Sequence, residues 1–177
     1  YRAAEMAEKA MTLAIGIDDR RGLADGYTIK GQLSEDSDSF SEALNFYLQA
    51  LDIYIELDSE TDIANLHSLA GSVCKTLGNY DKAIEHCHAS LRIYEKLNNK
   101  NGIAYIYRVL GSVYKYKGDY DKSLHYYFNG LGLNEEQGNR GGMANAYNNI
   151  GIVYLLMRDI EQALDYYRKS LEINLAE

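Results

Sequence analysis

Residues 71–87, GSVCKTLGNYDKAIEHC, and residues 111–127, GSVYKYKGDYDKSLHYY, are two copies of one pattern set 40 residues apart. Gly31, Gly71, Gly111 and Gly151 carry the same interval along the chain. Aligning on them brings other columns into register: Ala24, Ala64, Ala104 and Ala144; Tyr27, His67, Tyr107 and Tyr147; Phe40, Tyr80, Tyr120 and Ile160. Ala43, Ala83, Ser123 and Ala163 form a fourth column, and Met11, Leu51, Leu91, Leu131 and Leu171 a fifth. A fixed period of this length marks a repeat architecture, in which each unit buries its apolar face only by stacking on its neighbours.

Within a unit the apolar spacing is helical. Ile103, Ala104, Tyr107, Leu110, Gly111 and Tyr114 advance by threes and fours, and after a break Tyr120, Leu124, Tyr127 and Leu131 do so again. The breaks carry their own chemistry. Gly78 and Gly118 suit a left-handed helix end, and Asn79, Asp119 and Asp159 then stand where the next helix needs an N-cap. Ser39 with Glu42 reads as a capping box, as does Asp159 with Gln162 in looser form. Asp18, Asp58, Asn98 and Gly138 suit the residue just past the end of each second helix. Nine helices are therefore expected, near 1–17, 21–36, 39–57, 61–77, 79–97, 101–117, 119–137, 141–157 and 159–175. The first aligns with the second half of a unit, so 1–20 reads as the end of a truncated repeat. Four helix pairs follow, at 21–60, 61–100, 101–140 and 141–177, in a single array expected to be a fragment of a longer protein.

Composition narrows the function. The net charge is −8 and the pI about 5.0, so the chain lacks the basic footprint that nucleic acid or an anionic membrane requires. Proline, common in turns and at sheet edges, is absent, as suits an all-helical chain. No apolar run approaches the roughly 18 to 20 residues that span a bilayer. Two cysteines, Cys74 and Cys87, fall on core columns of one unit and read as reduced, buried thiols of a cytoplasmic protein.

The columns resemble the tetratricopeptide repeat (TPR), which sets small and aromatic residues at fixed offsets in a helix–turn–helix unit. The third unit carries the resemblance best, with Tyr107, Leu110, Gly111, Tyr114, Gly118, Tyr120, Ser123, Tyr127, Gly130 and Leu131. The first is weakest, with Asp38 at the turn glycine and Ser34 at an aromatic position. The 40-residue unit is longer than the usual 34, and Asp, Asn and Gly turns replace the usual proline. That is similar to the longer-helix repeats of bacterial signalling proteins, of Rap-type peptide-responsive regulators and of Pins-type scaffolds. The resemblance implies an all-α, right-handed superhelical α-solenoid of antiparallel helix pairs.

It also implies a binding wall made by first-helix residues that face away from the second helix. Carried onto this chain, that wall is acidic at the start, with Asp25 and Glu35, and cationic and amide-rich in the middle, with Asn65, Lys75, Tyr105, Arg108 and Lys115. It turns apolar at the end, where Asn145 and Asn148 lead to Ile152 and Leu155. Asparagine carboxamides bond both backbone groups of an extended peptide, and Arg108 offers a bidentate fork to a carboxylate.

Other constellations are empty of chemistry. Glu35, Asp36 and Asp38 lack the glycine and distant glutamate of a calcium loop. His86 and His88 are two apart and point to different helix faces, unlike a metal pair, and His67 holds a packed tyrosine column. No phosphate loop, dinucleotide fingerprint, zinc-protease or nucleophile-elbow motif occurs. The expectation is a non-catalytic module with no cofactor, metal, nucleic acid or membrane. It would bind a protein or peptide as the sensory part of a bacterial signalling protein, a standalone scaffold being the alternative. The exposed last repeat is a candidate dimerisation surface.

Overall fold

The computed structural model describes residues 2–175, and these contain nine α-helices. In chain order they are α1 (Arg2–Gly16), α2 (Arg20–Asp36), α3 (Phe40–Glu56), α4 (Glu60–Thr76), α5 (Tyr80–Lys96), α6 (Lys100–Lys117), α7 (Tyr120–Glu136), α8 (Arg140–Leu156) and α9 (Ile160–Leu175). Each lies within a residue of its expected bounds. The chain divides into two compact units, Tyr1–Leu97 with α1–α5 and Asn98–Glu177 with α6–α9. In the first, α1 packs on α2, α2 on α3, α3 on α4 and α4 on α5. In the second, α6 packs on α7, α7 on α8 and α8 on α9. Every such pair is antiparallel, joined by a three-residue turn or less.

The turns explain the period. A residue with positive φ recurs every 20 positions, at Asp18, Asp38, Asp58, Gly78, Asn98, Gly118, Gly138 and Arg158. At six of these a glycine, aspartate or asparagine tolerates the left-handed turn that the helix end needs, and Asp18 makes a seventh. Arg158 is the exception. The residue after the turn sends its N–H back to a carbonyl five positions earlier, as Asn79 does to Cys74 at 2.8 Å and Asp119 to Tyr114 at 3.0 Å. That same residue then becomes the next N-cap. Asp119 Oδ1 accepts from the Lys122 N–H at 3.2 Å, and Asp159 Oδ1 from the Gln162 N–H at 3.1 Å. The expected box at Ser39 does not form. Ser39 makes no side-chain cap, and Glu42 instead accepts a hydrogen bond from Ser34 at 3.3 Å. Asn79 likewise caps through position alone.

The glycine column does what its spacing implies. A Cβ on Gly111 would stand 2.7 Å from the Tyr127 ring, and one on Gly151 2.8 Å from the Tyr167 ring. Gly31 meets Tyr47 in the same way. In the second repeat Gly71 faces the Cys87 sulfur instead. Cys74 and Cys87 are free and buried, and burial pushes the Cys87 thiol up to about 12. The small-residue columns also supply hydrogen bonds. Ser90 donates to the Ala64 carbonyl and Ser170 to the Ala144 carbonyl, both at 2.8 Å, while Ser123 donates to Gly111 at 2.7 Å.

Candidate functional site

In the second unit α6, α7 and α8 enclose an open cavity of about 420 Å³. Two first-type helices, α6 and α8, make its walls, and the second-type helix α7 makes its floor. From α6 come Asn101, Tyr105 and Arg108; from α8 come Gly142, Asn145 and Ala146. The floor is Tyr127, Gly130 and Asn134, and Asn139 closes one end. The volume lies within the range of ordinary ligand pockets.

Its polar groups divide into those already bonded and those still available. Asn134 is buried and donates to the Gly130 carbonyl at 2.7 Å. Its own oxygen accepts from Asn139 Nδ2 at 2.8 Å, and Asn139 Oδ1 accepts from the Gly142 N–H at 3.0 Å. This relay pins Asn134 against Gly142, whose missing Cβ makes the room. Arg108, by contrast, is exposed and rests its guanidinium 4.7 Å from the Tyr105 ring centre; no ion pair holds it among the described residues. The Tyr127 hydroxyl is 2% exposed with its residue and makes no hydrogen bond, although Ser112 lies close by. Burial drives this phenol up to about 12, against the pull of Ser112 and Arg108. A buried donor left unpaired costs about 1–3 kcal/mol.

Of the residues expected at the binding wall, three line this cavity: Tyr105, Arg108 and Asn145. Asn148 is exposed and Ile152 half-buried further along α8. Lys115 is half-buried near the end of α6, 4.9 Å from the Tyr116 ring centre, and burial holds its ammonium below the usual lysine range. Asn65 and Lys75 lie on α4 in the first unit. Asn65 is already engaged, its Oδ1 accepting from the Tyr94 hydroxyl at 2.7 Å. The floor residues Tyr127, Gly130 and Asn134 were not foreseen, because the wall was sought on first-type helices alone. Gly130 and Asn134 carried a signal as departures from Ala50 and Tyr54 in their columns, whereas Tyr127 keeps its own.

A second unforeseen feature lies in the first unit. His67 of α4 and His86 of α5 place their Nδ1 atoms 2.9 Å apart. The same two columns hold Tyr27 with Phe46, Tyr107 with Tyr126 and Tyr147 with Tyr166, at centroid separations of 6.3, 5.9 and 6.1 Å. The histidines thus replace an aromatic contact, at 5.2 Å. Burial first, then the facing ring and Arg92, lower His67 to about 4. His86 is also lowered by burial. Among the described residues no cluster of three or more His, Cys, Asp or Glu is placed to hold a metal.

Sequence models of the tetratricopeptide repeat match residues 62–127 and 144–174, more than half of the chain. The chain belongs to the tetratricopeptide repeat family. TPR arrays are protein-interaction modules, and this TPR chain is one of that general kind. No curated protein matches it. Its backbone is similar to that of BtubC (BKLC) from P. vanneervenii, with a TM-score of 0.90 at 20% identity over 99% of this chain and 73% of that one. It is also similar to aspartyl phosphate phosphatase F from Bacillus subtilis, with a TM-score of 0.88 at 18% identity. That match covers 97% of this chain and 45% of the phosphatase, so the TPR chain spans under half its length. At such identities the likeness concerns the fold. Among the described residues no helix is long and apolar enough to cross a membrane.

Proposed function

We propose that this TPR chain binds a segment of a partner protein along α6 and α8, as the cytoplasmic sensory or interaction region of a larger bacterial signalling protein. The observation that carries the reading is the open cavity between those helices, with an uncommitted guanidinium at Arg108 and an exposed amide at Asn145. Such a mixture of apolar wall and few convergent polar groups is what a specific site requires. Asn145, Asn148 and Ile152 run along α8 from the cavity and extend the contact. Lys115, further along α6, is assigned to the same partner; Asn65 and Lys75 on α4 of the first unit hold equivalent first-helix positions and are proposed as partner contacts of that unit.

The test is the double substitution Arg108→Ala with Asn148→Ala. Affinity for a partner captured by the intact chain should fall about tenfold or more, since desolvated arginines commonly anchor interfaces. Helicity by circular dichroism should not change, because Arg108 and Asn148 are both exposed. Equal affinity for wild type and variant would remove the site from α6 and α8.

A second reading concerns α9. Leu171 is 55% exposed, whereas Leu51, Leu91 and Leu131 in the same column are buried. We infer that a second copy of the chain covers this stripe. Leu171→Lys should then convert a dimer to a monomer in sedimentation; a monomeric wild type at high concentration would sink the idea.

A further inference from the structure

Positions 80 residues apart are equivalent in this chain, and the cavity can be compared with the same place in the first unit. There the space is full. Tyr54 of α3, 3% exposed, lies between α2 and α4 and donates its hydroxyl to Asp25. The Arg21 guanidinium stands 5.7 Å from its ring centre, and Arg21 pairs with Asp62 of α4 at 2.5 Å. Leu66, 2% exposed, and Ala50, fully buried, belong to the same packed cluster. In the second unit the equivalents are smaller at four positions. Tyr54 becomes Asn134, Leu66 becomes Ala146, Asp62 becomes Gly142 and Ala50 becomes Gly130. Arg21 becomes Asn101, so no ion pair spans the opening. Ala24 and Tyr47 recur as Ala104 and Tyr127, while Asp25, Thr28 and Ser59 become the larger Tyr105, Arg108 and Asn139.

Drift at one column would leave a dimple. Four truncations around one point leave a ring-sized space, and the Asn134–Asn139–Gly142 relay holds its wall in place. Tyr127 lends its ring to the floor, with its hydroxyl buried beside Ser112. The rim restores the cation as well, since Arg108 already rests on an aromatic ring.

We propose that the cavity between α6, α7 and α8 receives a tyrosine side chain from a protein partner, in the place that Tyr54 occupies internally in the first unit. The inference rests on the partner-binding reading above and names the chemistry of what enters. The ring fills the volume between Ala104, Ala146 and Gly130, and Arg108 lies against it by cation–π attraction. The incoming hydroxyl donates to Asn145, whose Nδ2 is spent on the Gly141 carbonyl at 3.0 Å but whose oxygen is available. Tyr94, in the column of Tyr54, likewise donates its hydroxyl to a side-chain oxygen, that of Asn65, whose place beside the cavity Tyr105 holds. A phenylalanine would fill the space without the bond to Asn145, and a carboxylate would leave the apolar volume empty.

The experiment uses the intact chain and small phenols, read by NMR. N-acetyl-tyrosinamide and p-cresol should both bind with millimolar affinity and shift the amides of Gly130, Asn134 and Gly142. Toluene should bind about tenfold more weakly for want of the hydrogen bond. Asn134→Tyr, which refills the space from within, should abolish both titrations while the fold stands; Gly130→Ser should weaken them if that variant proves insoluble. Failure of either phenol to move these amides overturns the proposal, as does unchanged binding by both variants. Binding of p-cresol with exclusion of N-acetyl-tyrosinamide would assign the cavity to a free small phenol and also overturn it. A captured partner that keeps its affinity when its tyrosines are changed to alanine refutes this inference alone. A loss there with no effect of Asn148→Ala refutes the wider groove alone.

Discussion

Two places built on the same repeat columns end in opposite states. In the first unit, Tyr54 and Leu66 fill the space between α2 and α4, and the Arg21–Asp62 pair bridges those helices. In the second, Asn134, Ala146 and Gly142 leave that space open to solvent. The helices, turns and glycine column are alike in both. What differs is a few side chains that the backbone does not need. A repeat protein can therefore turn structure into a site by deletion: the scaffold is held by the columns that stay, and the removed atoms define the ligand.

The strongest way to break the comparison is to impose the open state on the first unit. Tyr54→Asn removes a buried ring and its hydroxyl bond to Asp25, and should cost about 3–5 kcal/mol, as for other large-to-small changes in a core. Asn134 survives in the second unit only because Asn139 and Gly142 accommodate it, and Ser59 and Asp62 stand in their places in the first. Chemical denaturation measures the loss. A cost below about 1 kcal/mol would mean that Tyr54 is not part of the packing, and that its equivalence to the cavity is only formal.

The histidine pair separates the units in another way, through pH. His67 titrates near 4 in the folded chain against about 6.5 when unfolded, and His86 is lowered too. A depressed histidine leaves the fold at full strength above the unfolded value. As pH falls from about 6.5 towards 4 the unfolded chain takes up protons that the folded pair refuses, so stability drops. For a half-buried pair screened by solvent the loss should be about 1–2 kcal/mol. His67→Tyr with His86→Tyr restores the ring pair that Tyr107 and Tyr126 form, and should flatten that limb of the stability profile. An equal loss in the double variant would assign the effect to carboxylates.

Most of the fold was legible because its signals are local and repeated. The αL residues and N-caps punctuate the chain every 20 positions, and the glycine column names the close contacts outright. The capping box at Ser39 misled because a serine hydroxyl has nearby competitors, and Glu42 found Ser34 first. The site was legible only in half. Tyr105, Arg108 and Asn145, expected from the face they share, line the cavity, whereas Tyr127 and Gly130 were read as packing and Asn134 was not singled out. A hollow is a statement about absent atoms on three helices at once, and a single helical face does not display it. The His67–His86 contact was hidden for a similar reason: each residue was weighed against its sequence neighbours, not against the column facing it.

The smallest expected effect sharpens the comparison from the open side. Gly130 sits inside α7, where glycine costs about 0.5–1 kcal/mol relative to a residue with a side chain. Its equivalents Ser90 and Ser170 each donate to a carbonyl of the neighbouring first-type helix. A Cβ at 130 would meet Tyr107 Cβ at 3.5 Å and the Ala104 carbonyl at 3.6 Å, both ordinary contacts. Gly130→Ser should therefore gain helix propensity and a hydrogen bond to Ala104, raising stability by about 0.5–1.5 kcal/mol. The added hydroxymethyl group narrows the cavity, so the same change should reduce ligand binding. Stabilisation with loss of binding is the pattern of a residue kept for function against the preference of the fold. A destabilised variant, by thermal or chemical melting, would instead show that α7 needs glycine for its own geometry, and that the hollow is a by-product of packing.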